Sequence, residues 1–157
     1  MKSLKEANAF LWKFGLLKVP MIFFLRPKVL EIDDDHAVVK IRLNRRSKNH
    51  LNSMYFGALC VGADITGGVL LVKFMSEQKI NFSFVFKDVK AEFLKRPESD
   101  VHFVCKDGAA IRELIDKAKT SGVRENLPVE IIATSPSMSG EEPVAKFILT
   151  LSIKKLG

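Results

Sequence analysis

The chain has 157 residues, of which 47% are hydrophobic, 9% aromatic and 27% charged. This length and composition predict a single globular domain over residues 1–157, and they exclude disordered, collagen-like and coiled-coil proteins. With 25 Lys and Arg against 18 Asp and Glu, the net charge is +7. Such a charge favours an anionic partner: nucleic acid, a membrane surface or a phosphorylated small molecule.

The first predicted element is an amphipathic helix at about residues 3–17. Ser3 and Glu6 have the spacing of a capping box, which satisfies free amides at a helix start. The apolar residues that follow fall on one helical face: Ala7, Phe10, Leu11 and Phe14. We interpret the segment as a helix packed on the domain; the alternatives are a lid over a site and an anchor to a membrane surface.

Two strands form a predicted hairpin between Val29 and Leu43. Alternate residues from Ala37 onward are apolar, which is typical of a strand with one buried face. Three consecutive aspartates at 33–35 predict the turn between the strands. A polar, basic loop with the sequence NRRSKNHLN follows at 44–52.

A long apolar segment at residues 54–72 contains one charged residue, Asp64. Its length suits a transmembrane helix. However, a carboxylate at the centre of a bilayer costs about 2.5–3.5 kcal/mol, and strand patterns flank the segment on both sides. We therefore predict a helix that is wrapped by the rest of the protein, with no transmembrane span.

The remainder of the chain is predicted to be mainly strands. Residues 80–93 alternate with one change of phase at Asp88, which predicts a long strand with a β-bulge. Asp107 is predicted to cap a short helix that ends near Gly122. Three further strands are predicted at 101–105, 128–134 and 144–153. The predicted fold is α+β: a curved, mainly antiparallel sheet of about six strands around one long central apolar helix.

The two cysteines, Cys60 and Cys105, lie in apolar segments. They lack the CxxC or Cys/His spacing of a metal site, so we expect neither a metal nor another cofactor. Free cysteines buried in apolar segments favour a reducing, cytoplasmic location.

The sequence NHLNSMYFGALCVGAD, which leads into the apolar segment, resembles the signature of hotdog-fold acyl-CoA thioesterases of the phenylacetate-degradation type. Those proteins have an Asn, six residues later a His-Gly-Gly, and an acidic residue nine positions after the His. The corresponding residues here are Asn49, Tyr55, Phe56, Gly57 and Asp64. Both spacings match, and the order of strands resembles the hotdog arrangement over nearly the whole chain.

The resemblance implies a hotdog fold, hydrolysis of acyl-CoA, and a homodimer or homotetramer with its sites between subunits. It implies catalytic roles for Asp64, Asn49 and Gly57. A carboxylate can activate water or attack the thioester carbonyl itself, and burial would raise its pKa toward that of a general base. Gly57 lies where the free amides of a helix start can stabilise an oxyanion, and where a glycine lets substrate approach the backbone.

Two residues depart from the family's pattern, because Tyr55 replaces the His and Phe56 replaces the first Gly. The family uses this segment to position the thioester carbonyl. The departures therefore favour an alternative function, a non-catalytic acyl-CoA-binding or lipid-binding hotdog protein. The catalytic candidates have structural alternatives as well: Asp64 could bond backbone groups or face a partner subunit, and Asn49 could close the loop before the helix.

Seven residues are candidates for substrate binding: His50, Tyr55, Phe56, Thr66, Arg45, Arg46 and Lys48. His50 either faces solvent or partly replaces the missing His, and Tyr55 is either a core aromatic or a substrate contact. Thr66 could act from a partner chain, while Asn52 and Ser53 are candidate helix caps. The basic loop residues suit the phosphates of coenzyme A, or form a solvated loop. Nucleic acid is not expected, because no recognised motif appears and aromatic residues do not interleave with this basic run.

Overall fold

The computed structural model describes residues 3–156. Its helices are α1 (Leu4–Leu17), α2 (Pro20–Leu25), α3 (Phe56–Gln78), α4 (Gly108–Ser121) and α5 (Pro136–Ser139). Its strands are β1 (Lys28–Ile32), β2 (Ala37–Ile41), β3 (Phe82–Phe93), β4 (Val101–Cys105), β5 (Glu125–Thr134) and β6 (Pro143–Lys155). The strands form one antiparallel sheet in the order β1-β2-β4-β5-β6-β3.

The curved sheet packs against α3, which confirms the predicted architecture of an α+β hotdog fold. Leu70 and Phe74 of α3 belong to the same hydrophobic core as Phe103 of β4 and Phe147 of β6. All four are at most 2% exposed. The core therefore lies between the central helix and one face of the sheet.

Helix α3 is also the one helix within residues 3–156 whose length and composition would allow it to cross a membrane, with a mean hydropathy of 1.7 in its most apolar window. However, 67% of that window is buried inside the fold. A helix that is apolar all round and wrapped by protein is a core helix, so α3 is no clear transmembrane span.

The predicted hairpin and β-bulge are both present. Strands β1 and β2 pair antiparallel. In the turn between them, Asp33 Oδ1 accepts hydrogen bonds from the backbone amides of Asp35 and His36, each at 2.8 Å. The pairing of β3 with β6 shifts register between Phe86 and Val89, where the alternation of the sequence changes phase.

The predicted start of the central helix is wrong by two residues, and the predicted N-cap residues are wrong as well. Helix α3 begins at Phe56 and continues to Gln78, beyond the predicted end at residue 72. Neither Asn52 nor Ser53 is its N-cap. The Ser53 hydroxyl instead lies in the preceding loop, where it accepts a hydrogen bond from Asn49 Nδ2 at 3.0 Å.

The predicted cap of α4 is confirmed in position but not in its hydrogen bond. Asp107 does occupy the N-cap position of α4, but its side chain makes no capping hydrogen bond. Its Oδ2 accepts a hydrogen bond from the amide of Glu130 at 2.7 Å. The carboxylate therefore fastens the start of α4 to β5.

Helix α2 was not predicted, and it forms a helical hairpin with α1. Pro20 begins α2, where the missing amide of a proline has no helical partner to lose. The start of α1 is capped as expected, since Ser3 Oγ accepts a hydrogen bond from the Glu6 amide at 3.2 Å. Gly15 allows the two helices to touch, because a Cβ there would lie 2.7 Å from the amide nitrogen of Phe23.

The α1–α2 hairpin is attached to the sheet through Asn8. Its Nδ2 donates to the carbonyl of Val29 at 3.0 Å, and its Oδ1 accepts from the Val29 amide at 2.9 Å. Ala7 and Leu11 on the same face of α1 are 0% and 5% exposed. The inner face of α1 is thus packed against the rest of the chain.

Candidate functional site

A cavity of about 300 Å³ lies between the α1–α2 hairpin, α3 and β3. Its walls are mainly aromatic and aliphatic, with Phe10, Leu11 and Phe14 from α1, Ile22 from α2, and Phe84 and Phe86 from β3. Asp64 is the one charged residue in this lining. An apolar cavity with a single polar group directed into it is typical of a ligand site.

The Asp64 carboxyl has no hydrogen-bond or ion-pair partner among residues 3–156. Burial raises its pKa above the usual range of an aspartate, because the ionised form loses hydration in the cavity. The alternative of a carboxylate bonded to backbone groups of its own chain is therefore wrong. One helical turn further along, no atom lies within 4 Å of a Cβ built at Gly68, so there is open space beside the carboxyl.

The N-terminus of α3 has free backbone amides. Tyr55 is the N-cap residue and makes no side-chain capping hydrogen bond. The amides of Ala58 and Leu59 donate to the Tyr55 carbonyl at 2.9 and 3.1 Å. The two amides before them, of Phe56 and Gly57, have no acceptor within residues 3–156. Free amides at the positive end of a helix dipole can stabilise an anion such as a thioester oxyanion.

Tyr55 lies at this helix start and is 48% exposed, so the interpretation as a core aromatic is wrong. A Cβ at Gly57 would lie 2.5 Å from the Tyr55 ring. The space that the glycine leaves is therefore occupied by the tyrosine, rather than being open for a substrate. The Tyr55 ring centroid is 4.8 Å from that of Phe56, which in turn is 6.2 Å from that of Phe93, and all three rings are about half exposed.

Asn49 closes the loop before α3, as its structural alternative proposed. Its Oδ1 accepts hydrogen bonds from the amides of Leu51 and Ser53 at 2.9 and 3.2 Å, while its Nδ2 donates to Ser53 Oγ. With both ends of its amide engaged, Asn49 fixes the path of the chain into α3. His50, its neighbour, is exposed on the same loop.

The basic loop residues lie outside the lining of the Asp64 cavity. Arg45, Arg46 and Lys48 are exposed. The Arg46 guanidinium lies over the ring of Phe24 in α2 at 5.8 Å, and Lys48 Nζ donates to Asn52 Oδ1 at 2.8 Å. The loop therefore borders the α1–α2 hairpin on one side and the start of α3 on the other.

Thr66 does not face a ligand site of this chain. It is fully buried, and its hydroxyl donates to the carbonyl of Gly62 at 2.6 Å. Its hydroxyl is therefore engaged within its own chain, and its predicted role in substrate binding stays a prediction. Cys60, one turn before Asp64, has a pKa raised by burial and is a protonated thiol.

The two best candidates for catalytic groups, the Gly57 amide and the Asp64 carboxyl, lie far apart within one chain. Gly57 and Asp64 are separated by seven residues of continuous α3. At 1.5 Å per residue, this separation corresponds to roughly 10 Å along the helix axis. A reacting carbonyl needs its oxyanion donors and its general base each within about 3 Å. One copy of α3 therefore does not bring the Gly57 amide and the Asp64 carboxyl to the same carbonyl.

The sequence raised the possibility that α1 lies over a site, as one of two alternatives to simple packing, but it did not predict that α2 would form part of the wall. The only signal was the apolar face of α1, and that pattern does not identify what the face covers. No group of three or more His, Cys, Asp or Glu side chains within residues 3–156 is arranged to hold a metal ion.

A family model described as a domain of unknown function, DUF4442, matches residues 7–151. The chain belongs to this DUF4442 family. The DUF4442 chain has the fold of the hotdog thioesterase superfamily, as the resemblance of residues 49–64 predicted. Among curated proteins, none matches the chain significantly.

Solved structures resemble the DUF4442 chain over nearly its whole length. A protein of unknown function from Chlorobaculum tepidum has a TM-score of 0.84 at 15% identity, with 98% of each chain covered. A probable thioesterase from Pseudomonas aeruginosa has a TM-score of 0.80 at 19% identity, with 98% of this chain and 97% of that chain covered. A thioesterase from Haemophilus influenzae has a TM-score of 0.70 at 13% identity, with coverages of 99% and 93%. At these identities the likeness establishes the fold.

Proposed function

We propose that this protein is an acyl-CoA thioesterase that hydrolyses its substrate to a free acid and CoA, in the cytoplasm and as a homodimer or homotetramer. The observation that carries the proposal is the Asp64 carboxyl, which has no partner within the described chain and lies in an apolar cavity. Partial burial of a carboxylate without a partner costs free energy, and this cost supports a functional role for Asp64. The names of the thioesterases with this fold support the same reaction class.

The proposed reaction uses Asp64 as a general base. The ionised carboxylate takes a proton from a water molecule, whose oxygen attacks the thioester carbonyl carbon. The carbonyl oxygen becomes an oxyanion, which the free amides of Phe56 and Gly57 stabilise. The carbon–sulfur bond then breaks, the sulfur takes the proton, and the acid and the CoA thiol leave. The apolar walls of the cavity hold the acyl group.

The separation of Gly57 and Asp64 supports an oligomer. Because one chain holds these groups roughly 10 Å apart along the axis of α3, we assign the amide to one subunit and the carboxylate to the next. Strand β3 is the candidate interface. Within residues 3–156 it pairs with β6 alone, and Val85, Val89 and Phe93 are 49–55% exposed. A long edge strand with an apolar surface is a template for pairing with a second copy.

The first experiment measures thiol release from acyl-CoAs of short, long and aromatic acyl groups. Asp64→Asn keeps the size of the side chain and removes the base, so we expect kcat to fall by about 10²–10⁴-fold. Glu113→Gln is the matched control, since Glu113 is an exposed carboxylate on α4, and we expect it to leave activity unchanged. Full activity in a folded Asp64→Asn variant would remove Asp64 from the mechanism.

The amide is tested by Gly57→Pro, which removes an N–H without breaking a helical hydrogen bond. Tyr55→Ala must accompany it, because the Tyr55 ring occupies the space that the new side chain needs. Tyr55→Ala/Gly57→Ala is the matched control, since it keeps the N–H. We expect the proline variant to be about 10²–10³-fold slower than this control.

Mixing two inactive variants tests whether the site lies between subunits. A heterodimer of Asp64→Asn with Tyr55→Ala/Gly57→Pro contains one site with both an intact carboxylate and an intact amide. After random re-assortment of equal amounts, we expect activity to return to about a quarter of the parent level. Recovery that never exceeds the sum of the two variants would place both groups within one chain.

A second function is favoured by one observation, the Tyr55 ring at Gly57. If this aromatic residue blocks the carbonyl from the amides, the protein is an acyl-CoA-binding protein without turnover. The two functions differ in a simple way, because the binder retains acyl-CoA affinity in calorimetry but releases no thiol. Activity that appears in Tyr55→Ala but not in the parent chain would support the binder.

A further inference from the structure

The outer face of the α1–α2 hairpin exposes an unusual number of large apolar side chains. Trp12, Leu16, Leu17, Met21 and Phe24 are between 45% and 64% exposed. They lie within thirteen consecutive residues, and none of them belongs to the lining of the Asp64 cavity. We call these five residues the apolar face. A cluster of this kind marks an interaction surface.

Basic side chains surround the apolar face. Lys13, Lys18 and Arg26 are exposed and form no ion pair within residues 3–156. The Arg26 guanidinium lies 6.0 Å from the ring centroid of Phe23, and that of Arg46 lies 5.8 Å from that of Phe24. The hairpin thus presents apolar groups at its surface with uncompensated positive charge at the edge.

We propose that the apolar face and its basic surround dock this protein on an anionic lipid bilayer. Amphipathic helices bind at bilayer interfaces when Trp, Phe and Leu are exposed on one side and Lys and Arg flank them. Each basic side chain near the surface adds attraction to anionic headgroups. The proposal does not depend on hydrolysis and goes beyond the proposed thioesterase activity.

Charge argues for lipid rather than for a second copy of the chain. The segment from residue 3 to residue 28 contains five basic residues and one acidic residue. Two copies packed through this face would bring like charges together, which is unfavourable. An anionic bilayer offers the complementary charge and an apolar phase for the five exposed side chains.

Docking would bring the bilayer next to the cavity. The inner face of the same hairpin supplies Phe10, Phe14 and Ile22 to the wall around Asp64. The segment 10–24 therefore contains both residues that line the cavity and residues that are exposed to solvent.

The sole tryptophan of the chain, Trp12, reports on this surface directly. The experiment titrates the full-length protein with vesicles of phosphatidylcholine alone and of phosphatidylcholine with phosphatidylglycerol. We expect a blue shift of Trp12 emission with the anionic vesicles, a weaker response with the neutral ones, and reversal at high salt. No shift with either kind of vesicle would overturn the proposal, as would an equal, salt-insensitive shift with both.

Two pairs of variants separate the apolar and electrostatic contributions. Leu17→Ser/Met21→Ser is compared with Val123→Ser, because Val123 is 59% exposed in the connection between α4 and β5. Lys13→Glu/Lys18→Glu is compared with Lys106→Glu/Lys146→Glu, which has the same net charge. We expect each hairpin variant to bind anionic vesicles more than about tenfold more weakly, and each control to bind as the parent does. Circular dichroism checks the fold.

The main rival occupant of the face is a second copy of the chain, and it predicts a different result. In that case, the blue shift of Trp12 depends on protein concentration without lipid and disappears in Leu17→Ser/Met21→Ser. Light scattering would then show a smaller assembly for this variant. That outcome, together with unchanged vesicle binding, would overturn the lipid proposal.

Discussion

The two faces of the central helix α3 are packed in opposite ways. On the face toward the sheet, a Cβ at Gly62 would lie 2.3 Å from the ring of Phe103, and Thr66 is fully buried. On the face toward the α1–α2 hairpin, a Cβ at Gly68 would meet no atom within 4 Å, and Asp64 has no partner within residues 3–156. Protein cores are normally packed without gaps. The open face is therefore the candidate position for a ligand.

The charges on the two faces differ in the same way. Lys73 lies three turns beyond Gly62 on the packed face, and its side chain is 8% exposed. Its Nζ donates to Asp34 at 2.5 Å and to Glu77 at 3.1 Å. The charge of Lys73 is thus compensated within the chain, whereas that of Asp64 is not. A compensated buried charge is structural, and an uncompensated one beside an open cavity is a candidate for function.

The largest difference between the two faces is expected in the free energy of unfolding when glycine is replaced by alanine on each face. Gly62→Ala forces a methyl group against Phe103, so we expect it to lower the free energy of unfolding by about 1–3 kcal/mol. Gly68→Ala has room and replaces a poor helix former, so we expect a gain of about 0.5–1 kcal/mol. Urea denaturation of both variants and the parent measures the difference. Equal effects of the two changes would show that the faces are packed alike.

A smaller effect is expected from Lys73→Met, which keeps the apolar stem and removes the charge. We expect a loss of about 1–2 kcal/mol in the free energy of unfolding, because Asp34 and Glu77 lose a hydrogen-bonded cation. Lys13→Met is the control, since Lys13 is exposed on α1 and has no ion pair within residues 3–156. A loss as small as that of the control would show that the ion-pair network of Lys73 is not needed for stability.

The pH dependence of this loss has a defined sign. The hydrogen bond from Lys73, and its charge, lower the pKa of Asp34. A lowered pKa contributes stability that is present above the ordinary pKa of an aspartate and is lost as pH falls through the lowered one. The difference between the parent and Lys73→Met should therefore shrink in acid.

The sequence predicted most of the fold because apolar and polar residues alternate along its strands. This alternation is a direct consequence of strand geometry, in which successive side chains point to opposite faces. The phase change at Asp88 even located the bulge of β3. The start of α3 could not be predicted, since Ser53 is a good capping residue in any local pattern. The structure of the loop explains the difference, because Asn49 Nδ2 donates a hydrogen bond to the Ser53 hydroxyl. A local sequence pattern does not reveal this contact. Helix α2 was missed because six apolar residues carry too little periodicity to define a helix.

The site was predictable only in part. A lone carboxylate in an apolar segment marked Asp64 from the sequence, and the structure places it in the cavity without a partner among residues 3–156. Its catalytic role stays a prediction. The exposure of Tyr55 and the burial of Thr66 depend on where the sheet lies around α3, which no local pattern contains. The same holds for Phe10 and Ile22, whose place beside Asp64 results from the docking of the hairpin.

The smallest effect, and the one that tests the open face most directly, is the stability of Asp64→Asn as a function of pH. Burial raises the pKa of Asp64 in the folded chain. Below the ordinary pKa of an aspartate, about 3.9, the carboxyl is protonated in both the folded and the unfolded chain and contributes nothing. As pH rises from there through the raised pKa, the unfolded chain ionises first, so ionisation favours unfolding. We therefore expect Asp64→Asn to be more stable than the parent at neutral pH and to lose this advantage in acid, as measured by urea denaturation at both pH values. Glu113→Gln, at an exposed carboxylate of α4, is the control. An Asp64→Asn variant that is less stable than the parent at neutral pH would mean that the carboxylate has a partner in the assembled protein, and the free base of the proposed reaction would then be absent.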